Sequence, residues 1–326
     1  MCCRLLAELL RRLPYTNSQC VANALHGAIN NLRCHVPHDM ILSFVDHMLH
    51  LTAAEETHMP LPMHVSSVLF SCLIADIVLP LEATLGLLEW LARQPEPLDV
   101  FVVSNALMAA AGIHRGNAEA LQALHPVLVA ILAKSAPVKE PVAAYQLLLA
   151  DALYMQAMLP AEEAALMVKG EKTAPAGRGL LLDYPDFREH CIQTSACGRM
   201  ANTISGCSIF HEDVKSVLAN LDVTKIESHR PLLPMALWTD LLCTLDDGSK
   251  LAVMLTRECL CFVNAPDVVD GRMLVQRDVL HTAGIPVVVV DKLSWDSIRD
   301  PVDKNKKRFD LITSRIPVLR VPKHVE

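Results

Sequence analysis

The chain has 326 residues, 52% hydrophobic and 20% charged, with a net charge of −7 at neutral pH. This composition excludes a disordered chain and is long enough for two domains. No apolar run reaches about eighteen residues, which excludes a bilayer-spanning helix, and the negative balance excludes nucleic-acid binding through bulk positive charge. Basic against acidic side chains number 8 to 13 in residues 1–160, 8 to 10 in 161–232 and 13 to 13 in 233–326. Aromatic residues are only 4%, so Leu, Ala and Val must build the core, which suits helices packed through aliphatic ridges.

The first segment, Met1 to Pro14, carries Leu5, Leu6, Leu9, Leu10 and Leu13 as an apolar stripe, with Arg4, Arg11 and Arg12 against one acid, Glu8. An amphipathic organellar transit peptide and the second helix of a helical repeat both fit; the clean stripe and the stop at Pro14 favour the repeat helix.

Four later segments resemble one another: Gln19–Asn30, Val65–Asp76, Val102–Ile113 and Pro141–Ala152. Ala22-Asn23-Ala24-Leu25 returns almost unchanged as Ser104-Asn105-Ala106-Leu107, 82 positions later, and the mean period is roughly 40 residues. Each is followed by an expected amphipathic helix, over 40–51, 81–91, 120–133 and 161–167, with Pro37, Pro80, Pro95, Pro97 and Pro137 between them. Small residues on the first helix of each pair permit close approach. Stacked pairs of this kind form an α-solenoid, expected over residues 1–168.

Residues 169–179 are polar and rich in Gly and Pro, and are read as a flexible linker; with a connecting helix they fill residues 169–205. Asp183–Cys191 is expected to open that helix, and Ser208–Val223 to form another. Eleven cysteines include no C-x-x-C pair, which favours free thiols in a reducing compartment. His190, Cys191, Cys197, Cys207 and His211 fit no compact zinc spacing, so neither a metal nor another cofactor is expected.

The C-terminal third changes pattern. Leu241–Leu245 and Leu251–Leu255 flank Asp246-Asp247-Gly248-Ser249, a β-hairpin signature. Leu274, Val275, Asp278 and Val279 have helical spacing, with Gly284 as the stop. Val287–Val290, bounded by Ile285-Pro286 and Asp291-Lys292, reads as a strand buried on both faces. A helix feeding a buried strand makes this part α/β, so the chain as a whole is mostly α with a C-terminal α/β domain.

Trp238-Thr239-Asp240, the hairpin, Asp270-Gly271, the helix, Ala283-Gly284-Ile285-Pro286, the valines and Trp295-Asp296 follow one another in an order that resembles a RAP domain. This small α/β module occurs at the C-terminus of organellar RNA-metabolism proteins of the FAST-kinase-like and octotricopeptide type. The resemblance runs from about Ser208 to Arg308, and implies a RAP domain with its leading helix over 206–326, folded like a PD-(D/E)xK nuclease. In such nucleases two or three carboxylates converge on a divalent metal. Asp240 matches the first family carboxylate and Ala252 the alanine of the next strand. Met254 stands where the family has glutamate, Thr256 where it has aspartate, Leu260 where it has histidine, and Gln276 where a lysine is frequent. Asp240 and Glu258 are therefore vestigial candidates, and the module is expected to be non-catalytic.

The candidate RNA contacts are Arg257, Arg272, Arg277 and Lys292, around the strand ends and helix start, and Lys304, Lys306, Lys307 and Arg308 on a C-terminal helix. Trp295 is read as a core anchor. The resemblance implies mitochondrial RNA metabolism: transcript stability, processing or ribosomal-RNA assembly. The expected partners are mitochondrial rRNA or mRNA, and ribonucleoprotein proteins held by the repeats, with no membrane and no small-molecule substrate. The alternatives are a metal-dependent endoribonuclease using Asp240 and a pure protein-interaction scaffold. No nucleophile triad, phosphate loop or dinucleotide fingerprint is present.

Overall fold

A computed structural model describes residues 2–54, 59–160, 163, 179–204, 209–220, 223–228, 231–232, 237–256, 261–282, 284–299 and 303–314. It begins with α1 (Cys2–Arg11), a 3-10 turn at Leu13–Tyr15, and α2 (Ser18–Leu25), which runs on into a π-helical turn at His26–Asn31. Then come α3 (His38–Ala53), α4 (Pro62–Ile74), α5 (Leu81–Ala92), α6 (Val100–Ile113), α7 (Ala118–Ala133), α8 (Pro141–Met158) and α9 (Pro185–Ile204). The repeat segments are thus helices, with boundaries within three residues of those expected except at α8, which runs six residues further, to Met158. The helix expected at 161–167 lies outside the described residues except for Glu163, as does the linker except for Gly179.

These helices form two files. One runs α2, α4, α6, α8 and α9, each packed on the next; the other runs α3, α5 and α7. Polar pairs hold neighbours of the first file in step: Ser18 with the half-buried His64 at 3.0 Å, and the buried Ser104 hydroxyl donating to Gln146 at 2.8 Å. In α6 every residue except Phe101 and Asn105 is buried, so the helix is covered over nearly all of its surface. A helix apolar all round must be covered on every side. Its remaining cover comes from the C-terminal third.

That third contains α10 (Ile209–Leu218), β1 (Val223–Ser228), the ribbon β2 (Pro231–Leu232) with β3 (Leu237–Trp238), β4 (Leu241–Leu245), β5 (Lys250–Thr256), and the ribbon β6 (Cys261–Phe262) with β7 (Ala265–Val269). It ends with α11 (Gly271–Thr282), β8 (Val287–Asp291), α12 (Lys292–Ser297) and α13 (Lys304–Ser314). A four-stranded sheet has the order β1-β4-β5-β8, antiparallel except for the parallel β5–β8 pair. The Asp-Gly turn is present, with Gly248 at φ +81°. Helix α10 is shorter than expected: Val223, read as its last residue, starts strand β1, where Thr224 and Ile226 suit a pleated backbone.

The valine strand is β8. It is covered on both faces, as expected, yet it lies at one end of the sheet order rather than in its interior. Period-two alternation gives its faces different neighbours. Val288 and Val290 join Leu241, Cys243, Leu251, Val253, Leu255 and Trp295 in a core with α10 and α13. Val287, with Ala252 and Met254 of β5, faces the other way into the core of the helical files.

Helix α11 lies between sheet and files and packs against α4, α6, α8 and β8. Met273, Val275, Val279 and Leu280 are buried there. The first residue of α11 has to be glycine: a Cβ on Gly271 would sit 1.8 Å from the Leu73 carbonyl oxygen of α4. Backbone cannot yield as a side chain does. Gly271→Ala is therefore expected to cost about 3 kcal/mol or more of unfolding free energy. Gly27→Ala, whose added carbon meets nothing within 4 Å, is the control. Urea midpoints check this, and an unshifted midpoint for Gly271→Ala contradicts the docking.

Candidate nucleic-acid interface

The C-terminal third meets the helical files through a charged seam. Asp270, just before α11, is fully buried, and its Oδ1 accepts from the Met273 amide at 3.1 Å as a helix cap. Its Oδ2 accepts from Arg33 Nη2 at 2.9 Å and Arg272 Nη2 at 2.7 Å. Arg33 lies in the segment between α2 and α3, in the left-handed region at φ +51°, and its guanidinium stacks 5.1 Å from the centre of the Phe262 ring. Around this pair the Val263 amide donates to the Arg33 carbonyl at 2.6 Å, and Asn264 bonds the His35 backbone in both directions at 2.6 and 2.9 Å.

A second chain of charges runs along the seam. Arg277 donates to Asp278 at 3.0 Å, Asp278 accepts from Arg115 at 3.1 Å, and Arg115 donates to Asp76 at 2.6 Å. Beside it a cavity of about 360 Å³ is lined by Arg115, Leu153, Gln156, Asp278 and Thr282, among others. Gln156 closes one side by donating to the Val279 carbonyl at 2.7 Å.

The expected contact residues therefore divide. Arg272 and Arg277 are held by Asp270 and Asp278, and Lys292 is paired with Asp296 four residues on. Arg308, expected at an RNA surface, is turned inward. It is 6% exposed, its Nη1 donates to Asp213 at 3.2 Å, and its guanidinium lies 4.5 Å from the Trp295 ring centre. Helical periodicity explains the difference: Arg308 shares a face with buried Ile312, whereas Lys304, Lys306 and Lys307 occupy exposed positions. Trp295 is fully buried, as expected of an anchor, with Phe210 edge-on at 5.9 Å. Arg257 and Glu258 lie outside the described residues.

Asp240 serves the sheet. Its Oδ2 accepts from the Leu255 amide at 2.8 Å, beyond the last β4–β5 pair, Leu241 with Val253. Its carbonyl is 3.3 Å from His211 Nε2. The residues of β5 opposite are Val253, Met254 and Leu255, all buried. Among the described residues, no three His, Cys, Asp or Glu side chains gather in a way that could hold a metal ion. Nor, among those residues, is any helix long and apolar enough to cross a membrane.

The first turn of α13 presents exposed cations. Lys304, Lys306 and Lys307 crowd the positive end of an eleven-residue helix with no acid in its first turn. Asp303, just before it, accepts from the Lys307 amide at 2.9 Å through its carbonyl. Sequence reasoning missed the seam: Asp270 entered only as part of the Asp270-Gly271 step, Arg33 and Arg115 belong to no motif, and only the fold brings them together.

No protein-family model matches the chain, and no curated protein matches it.

The two faces of α13 are separable by mutation. Arg308→Gln is expected to lower unfolding free energy by about 2 kcal/mol through the lost cation–π and ion-pair contacts. Lys306→Gln is expected to change it by no more than about 0.5 kcal/mol. Thermal melts of both variants measure this, and equal shifts contradict the assignment of faces.

Proposed function

We propose that the chain is an RNA-associated protein that holds RNA without cutting it: an α-solenoid closed onto a RAP-type module, working in mitochondrial RNA metabolism within a ribonucleoprotein. The observation that carries this reading is the lysine-rich first turn of α13. A cation at a helix N-terminus opposes the macrodipole by about 0.3–1 kcal/mol, and a phosphate placed there relieves both the dipole and the lysines. Arg308 and Ile312 pin the opposite face of α13, so the lysines are presented from a fixed helix. RNA phosphates are a matching ligand, and RNA is the target class that the RAP resemblance implies. The mitochondrial setting rests on that resemblance alone.

The two helical files, with a repeat near 40 residues, support the solenoid. The mixed sheet, with α10 on one face, α11 on the other and a last parallel strand after a helical crossover, supports the module. The non-catalytic reading rests on Asp240, whose Oδ2 accepts from the Leu255 amide, and on Met254. Met254 stands where the family pattern has glutamate and is 3% exposed in the core under α11. An ionised carboxylate there would be buried without a partner. With a net charge of −7, affinity must come from a local patch, which suits a protein seated among others in a particle.

The test is fluorescence anisotropy with a labelled single-stranded RNA at several salt concentrations. The variant Lys304→Glu/Lys306→Glu/Lys307→Glu is expected to bind at least about tenfold more weakly, with a log–log salt slope shallower by about 2. Affinity and slope equal to the unmodified chain's would overturn the proposal. RNA cleavage with Mg²⁺ that disappears in Asp240→Asn would replace it with the nuclease alternative.

A further inference from the structure

Two thiols from separate parts of the chain meet behind the seam. Cys3 lies in the first turn of α1, and Cys34 lies in the irregular segment before α3, 31 residues on. Their Sγ atoms are 3.8 Å apart, and both face the carbonyl oxygen of His35, at 4.0 and 3.9 Å. Cys34 is 8% exposed and Cys3 half-buried, so one thiol is reachable from solvent and the other is sheltered behind it. Cys34 also stands between Arg33, which pairs with Asp270, and His35, which is bonded to Asn264.

We propose that Cys3 and Cys34 form a reversible disulfide, with a small-molecule disulfide such as oxidised glutathione as the oxidant, and that the bond clamps α1 to the segment holding the C-terminal module. The Cys3 thiol loses its proton and its thiolate attacks one sulfur of the small disulfide. A mixed disulfide forms, and one small thiol leaves and takes up a proton. The Cys34 thiolate then attacks Cys3 Sγ and displaces the second small thiol. Two protein thiols and one small disulfide thus become one protein disulfide and two small thiols.

Closing from 3.8 Å to a bond requires about 1.8 Å of movement. Cys3 supplies it: it is in a helix's first turn, whose amides have no intrahelical acceptor, whereas Cys34 is held in place, its amide donating to the Ala28 carbonyl at 2.8 Å. The other buried thiols among the described residues are set apart from such chemistry. Burial pushes Cys72 and Cys191 up to about 12 and Cys243 to about 11, so they hold almost no thiolate at neutral pH.

The full chain is incubated with oxidised glutathione, its free thiols are alkylated, and the product is digested and mapped by mass spectrometry. Backbone amide exchange is measured on oxidised and reduced samples. The expected result is a Cys3–Cys34 cross-link, about 2 Da lighter than the two thiol peptides together, that dithiothreitol reverses. Exchange at the Val263 amide, which donates to Arg33, is expected to slow on oxidation. Cys20→Ser should change neither result, and Cys34→Ser should leave Cys3 as a mixed disulfide. Three outcomes overturn the proposal: Cys34 still alkylated in the unmodified chain, a bridge from Cys2 instead, or a Cys3–Cys34 bond that leaves exchange at Val263 unchanged.

Discussion

The buried carboxylate of Asp270 sets the terms for the rest of the structure. A charge taken wholly out of water has to be met by opposite charge and by hydrogen bonds, and removing one partner of such a group costs about 3–5 kcal/mol. Asp270 meets that demand with Arg33 from the helical files, with Arg272 from its own helix and with the Met273 amide. The same few atoms start α11, orient it, and tie the two halves of the chain to each other. Gly271 then lets the helix start lie against the α4 backbone, so the apolar residues of α11 reach the core of the files.

This arrangement changes what the helical files can do. Packed helices of this kind ordinarily offer one long face to a partner. Here α11 covers part of the face formed by α4, α6 and α8, which explains why α6 carries no polar stripe. Charge is also committed to pairing. Four of the eight cations that seemed suited to RNA are paired with acids, Arg277 and Lys292 at the surface and Arg272 and Arg308 more deeply, and the lysines of α13 are exposed at a helix end whose dipole favours an anion. A local grip on phosphate is compatible with an acidic chain only on such terms.

Much of the fold was legible in the sequence because it follows from periodicity. The Ala-Asn-Ala-Leu echo marked α2 and α6, the Asp-Gly turn marked the β4–β5 hairpin, and four valines marked β8. What periodicity does not carry is which surfaces meet. Val223 looked like the end of a helix because a β-branched residue suits either state until a partner strand is present, here Leu245 of β4. Arg308 sits in a basic run, and one turn of helix phase separates a solvated lysine from an arginine stacked on Trp295. Arg33 and Asp270 are 237 residues apart, and no local pattern joins them. Asp240 shows the same limit: the sequence marks it as an acid at a strand end, and only the sheet reveals the Leu255 amide that it accepts from.

The central claim is that files and module form one cooperative unit held at Asp270, and intrinsic fluorescence tests it directly. Trp90 reports on the files and Trp295 on the module; both are buried. Two single-tryptophan proteins, each with the other tryptophan and Trp238 replaced by phenylalanine, are unfolded in urea. A shared core predicts that each variant's tryptophan signal and its far-ultraviolet circular dichroism change in one coincident transition. It also predicts that Asp270→Ala lowers the midpoint in both backgrounds. Separate transitions, with the Trp90 signal indifferent to Asp270→Ala, would contradict it.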